Sequence, residues 1–171
     1  MTKKLLSHVT SVLLSQILML GCLISPVNAA TTAVVSGSCK YPGQVDVRGL
    51  TAYSCTKGSR ALNWSSPITL VVSPATLQST ISGNVLVKGS SLIQGMVTGS
   101  VYVLKGAALT LQGMVNGSIY ILPGGKADIM GMVNRDVVNQ GGVVSIEGTI
   151  AGTVKRTSGS TKIASGAVIG H

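Results

Sequence analysis

The sequence predicts an all-β protein: a right-handed β-solenoid of about five turns of ~18 residues behind a small disulfide-tied N-terminal cap. Three observations carry this. First, Gly95-Met96-Val97-Thr98-Gly99-Ser100-Val101-Tyr102-Val103 and Gly113-Met114-Val115-Asn116-Gly117-Ser118-Ile119-Tyr120-Ile121 align 18 positions apart, and Gly131-Met132-Val133-Asn134 opens a third copy. Second, apolar and polar residues alternate with period two inside each copy, as in half-buried strands. Third, a glycine opens each unit at 95, 113, 131, 148 and 166, marking corners that need unusual dihedrals or places too narrow for a side chain.

Residues 1–29 read as a secretory signal peptide. Lys3 and Lys4 form the positive end, an apolar run over 9–24 follows, and Val27-Asn28-Ala29 supplies the cleavage site. The run is short and broken by Ser11, Ser15 and Gln16, unlike a bilayer span of ~20 apolar residues, so no membrane span is expected after cleavage. Leu20-Gly21-Cys22 leaves lipidation of Cys22 open, against Met19 and the apolar Leu23-Ile24 around it. The expected location is therefore periplasmic, cell-surface or extracellular.

The region 30–78 is expected to form the cap. Its two cysteines, Cys39 and Cys55, point to a structural disulfide, since nothing resembles the Cys-x-x-Cys of a redox pair. Tyr41-Pro42-Gly43 reads as a turn, residues 44–48 and 68–72 as short strands, and Trp64 as a core or cap plug.

The solenoid is expected over 79–171, with turns at 79–94, 95–112, 113–130, 131–147 and 148–165 and a stub at 166–171. Three inward columns follow: Val97/Val115/Val133/Ile150/Val168, Val101/Ile119/Val137/Val154 and Leu111/Ile129/Ile146. β-Branched residues suit such columns because they pack well on a pleated surface. Stacked at about 4.8 Å per turn, five turns give a rod of roughly 24 Å. The pattern breaks where Asn139 and Arg156 fall on an inward position and Arg135 replaces a glycine. A buried unpaired arginine is costly, so the corner is expected to shift there, or Arg135 to pair with Asp136 or Glu147.

Composition narrows the chemistry. Removing 1–29 takes away two of the thirteen Lys and Arg and none of the four acids, leaving +7, thinly spread. Without clustered cations or stacking aromatics, no nucleic acid partner is expected. His171 is the one histidine after cleavage, and the acids are dispersed, although Asp128 and Glu147 could be neighbours on adjacent turns. No catalytic residues, no metal site and no cofactor follow, so the chain reads as not an enzyme. What stands out is an outward ladder of Tyr102 and Tyr120, Met96, Met114 and Met132, and Leu104 and Leu122. Facing solvent, it would be an apolar partner-binding face; alternatively the methionines fill a corner of the core.

Residues 79–171 resemble the bactofilin family of polymer-forming β-helical proteins. The likeness lies in the Gly-x-Val-x-Gly-x-Val-x-Val rhythm at 95–103 and 113–121 and in the run Gly141-Gly142-Val143-Val144-Ser145-Ile146-Glu147-Gly148-Thr149-Ile150-Ala151-Gly152. It covers a little over half of the chain. The resemblance implies a scaffold that forms filaments by end-to-end stacking without nucleotide. The signal segment and the cysteine pair depart from that family and indicate an exported variant. Two functions are carried forward. One is a self-assembling, non-enzymatic envelope or surface scaffold, a homo-oligomer or filament whose stacking edge is Val168 and Ile169. The other is an adhesin-like rod that binds an envelope glycan or a protein through the Tyr/Met/Leu face.

Overall fold

A computed structural model describes residues 38–65 and 67–170. The signal segment, Cys22 and His171 lie outside the described residues. Those described contain strands and turns with no helix, and none is therefore long and apolar enough to cross a membrane.

The chain begins with β1 (Val45–Arg48), β2 (Thr51–Lys57) and β3 (Leu62–Trp64), a small antiparallel unit in which β2 pairs with both neighbours. The expected Cys39–Cys55 disulfide is present and ties the segment before β1 to β2. Disulfides persist in oxidising, non-cytoplasmic surroundings. Trp64 is half-buried and sits opposite Cys55.

The rest is a β-solenoid of six coils. Coil 1 holds β4 (Ile68–Val72) and β5 (Thr76–Leu77). Coil 2 holds β6 (Asn84–Val87) and β7 (Ser90–Ile93). Coil 3 holds β8 (Met96–Val97), β9 (Val101–Val103) and β10 (Ala108–Leu111). Coil 4 repeats it with β11 (Met114–Val115), β12 (Ile119–Ile121) and β13 (Lys126–Ile129). In coil 5, β14 (Met132–Val133) is followed by one strand that rounds a corner, β15 (Val137–Ile146). Coil 6 has β16 (Thr149–Ile150) and β17 (Val154–Ile163), and β18 (Val168–Ile169) opens a further turn. All inter-coil pairing is parallel and builds three sides. One side stacks β4, β6, β9, β12 and the first half of β15. A second stacks β5, β7, β10, β13 and the second half of β15, and the third stacks the two-residue strands. The solenoid thus begins at Ile68, upstream of the expected boundary at 79, because β4 already pairs in register with β6.

The predicted columns form the core. Val101, Ile119 and Val137 stack in register, as do Leu111, Ile129 and Ile146, extended upstream by Ile93 and Leu77, and all are buried. The glycine ladder has a steric cause. A methyl built on Gly95, Gly113, Gly131 or Gly148 would land on the backbone carbonyl of the coil beneath, at Ser79, Gly95, Gly113 and Gly131 in turn. Gly166 does not continue it and stands in open space. Coil 6 is one residue longer, so Val168 pairs with Thr149 and Ile169 with Ile150. The expected place of Val168 in the first column is therefore corrected: Val168 is 59% exposed and Ile169 packs on the core. A slip of one residue reverses every side chain of a strand.

The corners obey two schemes. In coils 3 and 4, the N–H of Ala107 donates to Leu104 O (3.0 Å) and that of Gly125 to Leu122 O (2.9 Å). Each turn places Gly106 or Gly124 at φ near +80°, the third position of a type II turn, with Pro123 pre-set before Gly124. In coil 5 the corner is one residue shorter, and Asn139 replaces the turn. Its side chain is fully buried. Nδ2 donates to Gly142 O (3.2 Å), Ser160 O (2.9 Å) and Thr161 Oγ1 (3.0 Å), while Oδ1 accepts from the N–H groups of Gly141 (3.1 Å) and Gly142 (2.8 Å). The inward polar residue is thus fully satisfied and the corner does shift at this coil. Arg156 and Arg135 are both exposed. Arg135 forms neither expected pair, and Asp136 is engaged instead by Lys155 at 2.6 Å.

Candidate functional surfaces

The first side of the solenoid carries Leu86, Tyr102, Tyr120 and Val138 at outward positions of successive coils. The sequence reading makes the tyrosines and leucines a solvent-facing stripe. The tyrosines do point away from the coil core, while Leu104 also touches it, and the β1–β2 hairpin lies on this stripe. Val45, Ala52, Leu70, Leu86, Tyr102 and Leu122 form a second buried cluster, with Val47, Leu104 and Tyr120 packed against it. Tyr102 is 3% exposed, so the expected partner face is occupied by the chain's own N-terminal segment. The two rings stack at 5.0 Å between centroids and 12° between planes. Burial, and secondarily the neighbouring Tyr120, push the Tyr102 phenol up to about 12.

The hairpin acts as a strap along the stack. At one end the Leu70 N–H donates to Leu50 O (2.8 Å), and β2 pairs with β4 at Ala52 and Thr51, covering part of the edge of coil 1. At the other end Gln140 of coil 5 donates to Gly43 O (2.6 Å) and accepts from the Val45 N–H (3.2 Å). The expected cap therefore closes part of the first edge and also clasps one side from coil 1 to coil 5. Sequence reading marks Asn139 only as a break in the inward pattern and does not single out Gln140. The signal that could have found them is the corner Gln140-Gly141-Gly142, one residue shorter than the corners above it.

The third side is open. Met96, Met114 and Met132 are direct partners on β8, β11 and β14, directed outward, while Val97, Val115 and Val133 fill the core behind them. They do not fill a corner of the core: Met96 and Met114 are half-exposed and Met132 exposed. Beside them runs a polar row in which Asn134 Nδ2 donates to Asn116 Oδ1 (3.0 Å).

Along the corner before the first side, Asn84, Ser100, Ser118 and Asp136 each accept the backbone N–H of the next coil, ending at Thr153. The hydrogen bond from Lys155, then that from the Thr153 N–H, hold the Asp136 carboxyl below its ordinary value. On the second side Asp128 and Glu147 do come together, lining a shallow groove with Thr110, Met130 and Ser145. A further cleft lies where the strap meets the coils, lined by Tyr41, Gln44, Pro123, Gln140, Thr157 and Ser158. Among the described residues no group of three or more His, Cys, Asp and Glu could hold a metal.

The two ends differ. Coil 6 is paired with coil 5 through β17, whose other edge carries no strand among the described residues. Ile163, which ends the Leu111/Ile129/Ile146 column, is 47% exposed there, and Val71, which starts the Val85/Val101 column, is 48% exposed at coil 1. Of the expected stacking edge, Val168 is exposed and Ile169 half-buried.

No protein-family model matches the chain, and no curated protein or solved structure gives a significant match.

Proposed function

We propose that this chain is an exported, non-enzymatic structural rod of the cell envelope or surface that associates with further copies end to end. The observation that carries it is that the core columns run out into solvent at both ends, at Val71 and at Ile163. An added coil of another copy would continue the same columns and pair the edge of β17 that carries no strand among the described residues. The bactofilin likeness of the repeat rhythm supports the same reading, and the disulfide supports export. β17 also carries Lys155, Arg156 and Lys162, charges of the kind that blunt strand edges. Association is therefore expected to be weak at low salt and stronger when these charges are screened.

Light scattering and negative-stain microscopy on the chain from Ala30 onward, disulfide intact, test this. The average mass is expected to rise with concentration and with salt, and to fall back to monomer in Ile163→Lys. A monomer at every concentration would end the proposal. A second reading, lateral binding of a glycan or protein, is favoured by the open methionine row now that the tyrosines are covered. It requires that Met→Ala changes there abolish capture of the partner while the rod stays folded.

A further inference from the structure

We propose that Met96, Met114 and Met132 form a binding site for a soft monovalent cation, of the class of Cu(I) or Ag(I). The three residues are Cα partners on adjacent parallel strands. They lie on the outward side of a sheet whose inner side is the core, so their thioethers meet solvent. The sulfurs are held toward the neighbouring asparagine row: Asn116 Nδ2 lies 3.8 Å from Met96 Sδ, and Asn134 Nδ2 lies 4.0 Å from Met114 Sδ. These contacts are long and weak, so an incoming ion displaces little.

The spacing fits the chemistry. Neighbouring strands lie about 4.8 Å apart. Zinc–thiolate bonds are about 2.3 Å, and two metal–sulfur bonds of that order placed end to end span about 4.6 Å. One ion can thus sit between the thioethers of adjacent coils in two-coordinate fashion, with Met114 shared by both possible positions. A neutral thioether is a soft ligand, which selects Cu(I) over hard or borderline divalent ions. The row itself contains no carboxylate, imidazole or thiolate that would favour Zn²⁺, Mg²⁺ or Ca²⁺. Met130 serves as an internal contrast, since it lines the groove with Asp128 and Glu147. In an oxidising compartment, where thiols are tied up as disulfides, thioethers are the soft ligands that remain.

The test is a titration of the full chain with silver nitrate in chloride-free buffer, followed through ¹³C-labelled methionine methyl groups by NMR. The variant Cys22→Ser is the background, so that the one cysteine outside the disulfide does not compete. The methyl resonances of Met96, Met114 and Met132 are expected to shift and saturate together while Met130 stays in place. Met114→Leu, which keeps the apolar volume, should weaken binding at least tenfold, and Met130→Leu by less than twofold. Zn²⁺ should leave all the resonances unmoved. If Met114→Leu fails to keep the wild-type circular dichroism, the pair Met96→Leu with Met132→Leu isolates Met114 and must give the same loss. No shift in the wild type, equal shifts at Met130, or unchanged binding in the leucine variants would each overturn the proposal.

Discussion

Asn139 is the position where a repair guided by the repeat and one guided by the structure disagree. It pairs with Ile121, which pairs with Val103, so Asn139→Val restores an apolar column. Fully burying a valine contributes about 1.5–3 kcal/mol relative to leaving it exposed. The same change strips the acceptor from the N–H groups of Gly141 and Gly142 and the donor from Ser160 O and Gly142 O. Each orphaned buried group costs about 1–3 kcal/mol, and the short corner has no turn hydrogen bond to replace them. Gly141 is only half-buried and Ser160 exposed, so the four groups are taken at about 1–1.5 kcal/mol each. Their loss of about 4–6 kcal/mol, less about 2 kcal/mol for the valine, leaves a net loss of about 2–4 kcal/mol, or roughly 10 °C in melting temperature for a domain of this size. Thermal unfolding followed by circular dichroism, disulfide intact, reads it directly. Asn139→Asp keeps an acceptor for the two glycine N–H groups and should fall between the two. If Asn139→Val melts at or above the wild-type temperature, the corner is closed by the backbone alone and the assignment of Asn139 as its organiser is wrong.

Two further outcomes follow from packing and burial. Gly113→Ala places a methyl on the Gly95 carbonyl, where both neighbours are backbone, and should cost about 3 kcal/mol or more in urea unfolding. Gly166→Ala, in open space, should stay within about 0.5 kcal/mol, and equal effects would refute the steric account of the ladder. Tyr102 holds its proton more tightly folded than unfolded, so the stability linked to it is intact below pH 10 and is lost as pH rises toward 12. Tyr102→Phe should flatten that alkaline limb, and a limb unchanged in the variant would place the titrating group elsewhere.

The solenoid was legible because its signal is periodic. One backbone step of 18 residues brings Val101 over Ile119 and Leu111 over Ile129, and the alternation in each unit says which way they face. The reading failed where the period changed. The extra residue in coil 6 moves Val168 outward, and the missing residue in coil 5 turns an apparent defect, Asn139, into the hub of a corner. The glycine ladder was visible, and of its two expected causes the narrow place holds and the unusual dihedral does not: none of Gly95, Gly113, Gly131 and Gly148 has a positive φ, and the constraint is the carbonyl one coil below.

The strap's disulfide and its strand near 44–48 were legible, but its course along the stack was not, and the reason bears on where function can reside. Tyr102 and Met114 both look outward in the repeat, and nothing local separates them. Their fates differ because a non-repeating hairpin, held by Gln140 at a sequence distance of 95 residues or more, lies over one and not the other. Non-local contacts of that kind leave no periodic trace. The strap's hydrogen bonds reach from coil 1 to coil 5, whereas coil 6 is held by parallel pairing to β15, β14 and β18 and gains no strap hydrogen bond. In a stack where each coil is stabilised mainly by its neighbours, a coil with one complete neighbour and no strap hydrogen bond among the described residues is the first to open. That places the least stable element at an end where Ile163 of the core column and Val168 are exposed. Addition of another copy there would supply the missing neighbour, so assembly and protection of coil 6 should rise together.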